Sequence, residues 1–535
     1  MHLNRRSLVA WAGSSLAASS LPVIAQSASA APQSNPNAPP WHNVRHYGAT
    51  GDGSTIDSPA INRAIEAASA LGGGTVYFPA GTYASYSIRL KSSITLFLEQ
   101  GATILAAPTP HDGLPTGGYD SAEPQGPWEP YQDYGHNHWH NSLIWGEGLH
   151  DIAILGMGLI WGRGLSRGWD SEVALPDSNK PGVGNKSIAL KNCANVTLRD
   201  FGILQGGWFG LLATGVDNLT VDNLVIDTNR DGMDFDCCRN VRVSNCTVNS
   251  PWDDGICPKS SFALGYPRPT ENLTITNCLV TGHYQLGTVM DGSWKPIPAD
   301  QKPYRTGRIK CGTESNGGFK NITISNCVFD HCHGFELVSQ DGAICEDITL
   351  SNIAMRSVIA APLFLRLGSR MRGPAGTPVG SIKRVLFSNI VSSSATLSPS
   401  VFSGIPNHPI QDIKISNVYL QHFPDDRPAP LNPPENESAY PEPEMFGPLP
   451  ATGFYLRHLQ NIEVSNLEIS LDPSSSSHPT LPAITLQDVN GADFFRLRLP
   501  RSTPAFQLNQ VTDFRHFGSQ FLPDFSSPSI TTHTL

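Results

Sequence analysis

Residues 195–203 are NVTLRDFGI, residues 218–226 are NLTVDNLVI, and residues 240–248 are NVRVSNCTV. The same frame returns at 272 (NLTITNCLV), 321 (NITISNCVF), 347 (DITLSNIAM), 412 (DIKISNVYL) and 461 (NIEVSNLEI). Each copy opens on Asn or Asp, alternates apolar with polar residues, and then reaches a turn. Alternation with period two makes a short strand with one buried face, and Asn tolerates the left-handed corner that joins two such strands. Starts 22 or 23 residues apart, wider where loops intervene, fit one turn of a parallel β-helix. One turn cannot bury its apolar face alone, whereas stacked turns bury a continuous core. Several copies also match the N-x-[ST] acceptor pattern, but a strand start at the same place accounts for them.

Working outward, SPAINRAIEAASALGGG (58–74) predicts a short helix capping the open N-terminal end of the coil. Ser58 is suited to cap it, Pro59 to its first position, and Ile61, Ala64, Ile65, Ala68 and Leu71 share a face. From about 424 to 450 the chain turns Pro-rich; because NIEVSNLEI follows, this stretch is expected as a loop on the solenoid's flank. The 49 Gly, 44 Pro and 15% charged residues suit a turn-rich β protein.

Residues 1–30 look like an export signal: Arg5-Arg6, an apolar middle, and a small-residue end at Ala28-Ser29-Ala30. The paired arginines resemble a bacterial twin-arginine signal, with an ordinary secretory peptide as the alternative. Either implies a periplasmic or secreted protein, with a linker over 31–43 and the β-helix domain over 44–535. The net charge of −10 argues against nucleic-acid or anionic-membrane partners, and no later apolar run is long enough to span a bilayer. A monomer is expected. Cys246, Cys278 and Cys327 end equivalent tripeptides in the repeat, so stacking as small buried side chains is expected rather than disulfide pairing.

The chemistry gathers at SPWDDGICPK (250–259), where Asp253 and Asp254 stand side by side. One coil earlier, TNRDGMDFD places Asp231 and Asp234 at the corresponding strand end. Stacked coils should bring Asp231, Asp253 and Asp254 together. Clustered carboxylates do not ionise independently, so one can stay protonated near neutral pH, which suits general acid–base cleavage of a glycosidic bond. A calcium site is the bland alternative. Downstream, His283 lies in TGHYQLGT, and Arg308 and Lys310 alternate across Ile309, which turns both to one side. Such a pair suits a uronate carboxylate. The stretch DYGHNHWHNSLIWG (133–146) can close one end of a groove with Trp139, bind a metal through His136, His138 and His140, or lie free in solvent.

These motifs resemble those of family 28 glycoside hydrolases, the polygalacturonase family of pectin-degrading right-handed β-helices. YGATGDGSTIDSPAINRAIEAASALGGGTVYFPAGTY resembles the opening shared by pectin-acting β-helices, and ILGMGLIWGRG resembles a glycine-patterned segment of the family, with Trp161 where an Asp is usual. Four signatures correspond to NRD (Asn229–Asp231), DD (Asp253, Asp254), GHY (Gly282–Tyr284) and RIK (Arg308–Lys310); Arg230 and Tyr284 depart from the pattern.

The resemblance implies an all-β, right-handed, single-stranded parallel β-helix of pectin-lyase-like type. It implies Asp253 as general acid, Asp231 and Asp254 activating water, and His283 supporting the acid. Asn229, Lys259, Arg308 and Lys310 would bind a pectic polysaccharide. The mechanism it implies inverts the anomeric carbon and needs no metal or cofactor. Inversion carries the expectation that acid and base carboxyls stand about 6.5–9.5 Å apart.

A rival alignment sets GTESNGGFKNI on the coil after the His motif and GFELVS in the place of RIK, which removes the clamp; we take the first. A rhamnogalacturonan-type or other pectic side-chain glycosidase, favoured where that clamp is absent, is the alternative within hydrolases. A calcium-dependent pectate lyase and a non-catalytic glycan-binding β-helix are alternatives outside them.

Overall fold

The structure, a computed structural model, describes residues 41–108, 118–166, 180–228, 230–301, 304–394, 396–424, 427–473 and 480–535. The expected export signal lies outside the described residues. From Pro39 to Leu535 the chain is one compact unit, and its coils stack strand on strand in parallel register. Val196 pairs with Leu219, Leu219 with Val241, Val241 with Leu273, Leu273 with Ile322 and Ile322 with Ile348. All are buried. The alternation in the repeat thus becomes a column of aliphatic side chains down the middle of a right-handed parallel β-helix.

The repeat's Asn residues turn the corners. Asn218, Asn223, Asn240, Asn245, Asn272 and Asn277 all have φ between 55° and 58°, the left-handed region that Asn enters most readily after Gly. Their amides also form a ladder from coil to coil: Asn218 donates to Asn195 at 2.8 Å, Asn321 to Asn272 at 2.8 Å and Asn466 to Asn417 at 3.0 Å. The ten cysteines are buried thiols. Cys246, Cys278 and Cys327 donate to the carbonyls of Ser244, Thr276 and Ser325 two residues back.

The N-terminal end is covered by the helix Ser58–Ala70, with Ile61, Ala64, Ile65 and Ala68 buried against the first coil. Two expected details differ. Asp57, not Ser58, precedes the helix, and its carboxylate accepts from the backbone of Thr50 and Gly51 rather than capping. Leu71 falls past the last turn and is exposed. The linker also ends sooner than expected: Trp41–Asn43 is a strand paired with Gly74–Phe78, and Trp41 packs edge-on to Tyr77 and Phe97. At the other end Phe525–Thr534 pairs antiparallel with Phe506–Phe517.

The Pro-rich stretch is a loop, because the strands before and after it, Ile410–His422 and Phe454–Leu471, pair directly. Its Phe446 and Leu449 pack with Val338, Phe364 and Tyr455 in a second small core outside the coil. That packing holds the loop against the face described next.

Candidate active site

A six-stranded sheet runs along one face and ends with Asp231–Asp236 and Ile256–Lys259. A bridge from Ile256 to Ile309 carries it on to Lys310–Cys311, and Lys310 pairs with Glu336 in the strand Phe335–Ser339. Asp231 opens its strand. Asp253 and Asp254 lie in the irregular stretch just before Ile256, bracketed by Pro251 and Gly255, because a regular strand would send them to opposite faces. The coils approach closely here: Gly232 and Met233 each donate to the next coil at 3.0 Å, and a Cβ on Gly232 would fall 2.4 Å from the Gly255 carbonyl oxygen.

One carboxylate oxygen from each of Asp231, Asp253 and Asp254 therefore lies within 4.8 Å of the others. Asp253 and Asp254 border an open cleft of about 680 Å³. This cluster is tighter, oxygen to oxygen, than the expected gap for a water between acid and base. Inversion accordingly rests on the family resemblance and not on the spacing.

The three carboxyls have different surroundings. Burial, with Asp253 and Asp234 close by, holds Asp231 well above the usual carboxylate range. Burial would raise Asp254 too, but the Arg308 guanidinium, backed by Lys310 and Lys259, outweighs it and lowers the group; Arg308 Nε donates to Asp254 at 2.7 Å. Asp253 is the most exposed of the three and pairs with Arg230 Nη2 at 3.0 Å. The Arg230 guanidinium lies over the Trp208 ring at 4.7 Å. Burial and charge thus push Asp231 and Asp254 of one cluster in opposite directions.

The other expected site residues fall differently. Asn229 lies outside the described residues. Lys259 is buried below the cluster, 3.2 Å from Glu314 and 3.7 Å from Asp234, so it balances charge under the cleft floor. Burial works against its ammonium, but the surrounding anions win and raise it.

Arg308 and Lys310 stand on the coil directly after Asp253 and Asp254, with GFELVS on the next one. This is the placement of the rival alignment. Nor are the two cations an exposed clamp, being 2% and 0% exposed. Arg308 Nη1 lies 2.6 Å from Glu336 and donates to Glu442 at 2.9 Å, and Lys310 Nζ lies 3.1 Å from Glu336 and 3.3 Å from Glu442.

His283 is not among the residues lining the cleft. Its ring stacks on His331 with centroids 4.2 Å apart, because the chain leaves the coil for a long loop just after it. The cleft's histidine is His333, whose Nδ1 lies 3.4 Å from Arg308 and which burial and that guanidinium lower to about 4.

Sequence reasoning placed Asp234 at the strand end with Asp231 but missed Glu314, Glu336, His333 and Glu442. Asp234, wholly buried, brings an oxygen within 4.8 Å of Asp231 and the Cys257 thiol. Burial lifts Glu336 to about 8 against the pull of Arg308.

The His-rich stretch binds its loop to the coil. Trp139 is buried, donates to Thr214 at 3.0 Å and carries Lys191 over its ring, so it does not wall the groove. His136 faces Glu314, His138 contacts Glu129 and His140 contacts Glu147. His138 and His140 also share Glu123, at 3.9 and 3.5 Å, whereas His136 stands apart on Glu314, so the three histidines do not converge on one point.

Two family models match: "Rhamnogalacturonase A/epimerase, pectate lyase-like" over residues 41–108 and "Right handed beta helix region" over residues 177–296. Among curated proteins, the chain is 24% identical over 405 residues to a probable polygalacturonase of Vitis vinifera, covering 70% of this chain and 73% of that one. It is 26% identical over 273 residues to an exo-poly-α-D-galacturonosidase of Dickeya chrysanthemi, covering 42% of each. Among solved structures, a family 28 exopolygalacturonase of Yersinia enterocolitica superposes with a TM-score of 0.57 at 19% identity. That match covers 88% of this chain and 78% of the other, and it shows the fold.

Proposed function

We propose that this chain, similar in sequence to polygalacturonases and folded as a right-handed β-helix, is a family 28-type glycoside hydrolase that cleaves α-linked, galacturonic-acid-containing pectic polysaccharide. The observation that carries the reading is the convergence of Asp231, Asp253 and Asp254 beside a cleft on the face of the β-helix. In this reading Asp253, the most exposed of the three, hands a proton to the leaving-group oxygen. Asp254, kept ionised by Arg308, and Asp231 hold and deprotonate the attacking water. In this reading the proton comes from within the cluster, where burial raises Asp231 beside Asp253. The signal-like residues 1–30 support placing the enzyme outside the cytoplasm.

A second reading exchanges Asp253 and Asp231. It is favoured by the high proton affinity of Asp231 and by Arg230, which stands on an Asp253 oxygen that would carry a proton.

The test is product analysis on a panel of pectic polysaccharides. New reducing ends without an unsaturated, ultraviolet-absorbing product are expected, whereas an unsaturated product would replace hydrolysis by elimination. NMR of the first-formed sugar is expected to show inverted anomeric configuration; retention would reject the roles of Asp231 and Asp254 on water. Rates are expected to be unchanged by a metal chelator, since carboxylates and water suffice for this chemistry. Loss of activity restored by calcium alone would return the lyase.

A further inference from the structure

Arg308 and Lys310 come from the coil next to the carboxylate cluster, but a carboxylate from 132 residues further along the chain already occupies them. Glu442 accepts from both arginine Nη atoms and from Lys310 Nζ. The Pro-rich loop that carries it is held on both sides. Tyr440 lies over Lys310, with the ammonium 5.1 Å from the ring centroid, and its hydroxyl is 3.1 Å from Thr313 Oγ1. Just beyond Glu442, the turn Pro443–Phe446 buries Phe446 beside Val338 and Phe364. The Asn436 amide closes the loop on the Met445 carbonyl at 2.6 Å.

The cleft wall contains five carboxyl groups, of Asp133, Asp253, Asp254, Glu442 and Glu444, against the guanidiniums of Arg230 and Arg308, both in ion pairs. A free uronate entering beside Arg308 meets a filled cation pair and like charge. An uncharged ring meets neither obstacle.

We propose that Glu442 is a specificity-determining residue. By supplying an internal carboxylate to Arg308 and Lys310, it makes the subsite beside the Asp231–Asp253–Asp254 cluster accept a glycosyl residue without a free carboxylate and turn away a free uronate. The shared chemistry of the accepted unit is a hexopyranose uncharged at C5, either an esterified uronate or a neutral sugar. The selectivity belongs to the cleft of the hydrolase reading and rests on it for its place beside the scissile bond.

The test is calorimetric binding, in an Asp253→Asn background that removes turnover, with Glu442 intact or changed to Gln. The probes are trigalacturonate, its methyl ester, and an oligosaccharide in which rhamnose alternates with galacturonate. With Glu442 intact, the ester or the alternating oligosaccharide is expected to bind roughly 10- to 100-fold more tightly than the free acid, since like charge brought together opposes binding. The stronger of the two identifies which uncharged unit is preferred. Glu442→Gln is expected to reduce the preference at least about tenfold by tightening the free acid.

Tighter binding of the free acid with Glu442 intact overturns the proposal, and that measurement does not need the Gln variant to fold. An unchanged preference in folded Glu442→Gln, or no binding of any probe, overturns it as well. Hydrolysis is read separately on the otherwise unaltered enzyme. Selectivity without hydrolysis would remove the hydrolase reading and leave the charge filter standing.

Discussion

Asp253→Asn is expected to lower turnover on a pectic glycan by about 10²–10⁴-fold while circular dichroism and thermal unfolding stay those of the parent. Asn keeps the size of the side chain, and its carbonyl oxygen can still accept from the Asp254 backbone N–H, as Asp253 Oδ1 does at 3.0 Å. What is lost is the proton that a leaving alkoxide needs. An aryl glycoside with an acidic phenol leaves without that proton, so the deficit should shrink markedly on such a substrate. Asp231→Asn should show no such rescue if Asp231 acts on the water. The opposite pattern, rescue of Asp231→Asn alone, would hand the donor role to Asp231. Near-normal turnover by folded Asp253→Asn on the natural glycan would take Asp253 out of proton transfer altogether.

The fold was legible because its determinants are local and periodic. Asn218, Asn240 and Asn272 each specify a corner through their own backbone and amide, and Leu219, Val241 and Leu273 each specify the core through position in the repeat. The carboxylate cluster was legible for the same reason, since strand ends of neighbouring coils must meet.

The basic side of the cleft was harder to place because the chain between His283 and Gly307 interrupts the period. The repeat did hold the answer. NLTITNCLV at 272 and NITISNCVF at 321 pair directly, so everything between them belongs to one coil, and Arg308 must follow Asp254 without another coil between. Glu442 had no such signal. It reaches Arg308 across 134 residues from a loop outside the repeat, and only the tertiary packing of Phe446 and Tyr440 brings it there. Glu314 and Glu336 lie on repeat-derived coils, but nothing in their local sequence distinguishes a carboxylate that will be buried against Lys259 or Lys310 from one left in solvent.

Arg308→Ala should be the most destabilising change near the cleft, by about 3–5 kcal/mol in chemical denaturation. The guanidinium is 2% exposed and touches Asp254, Glu336 and Glu442; without it three buried or half-buried carboxyls lose the one cation that touches them all. The pH dependence separates this cause from simple loss of packing. Arg308 holds Asp254 and Glu442 below the usual carboxylate range against the opposing effect of burial. Groups lowered in this way contribute stability above their unfolded pKa of about 4, and that stability is lost as pH falls through their folded values. The variant no longer has this contribution to lose, so its deficit should be largest near neutrality and narrow below about pH 4.

Glu336 adds to the deficit only at higher pH. Burial raises it to about 8 even with Arg308 present, so its own cost builds up from its unfolded value of about 4 and is complete only above about 8, where the lost guanidinium is felt. Adding Glu442→Gln removes one of the stranded charges and should recover part of the loss, a coupling that a double-mutant cycle measures directly. A deficit independent of pH, or one that Glu442→Gln deepens additively, would mean that Arg308 supports the coil by its bulk and that the ion network contributes nothing to holding the cleft together.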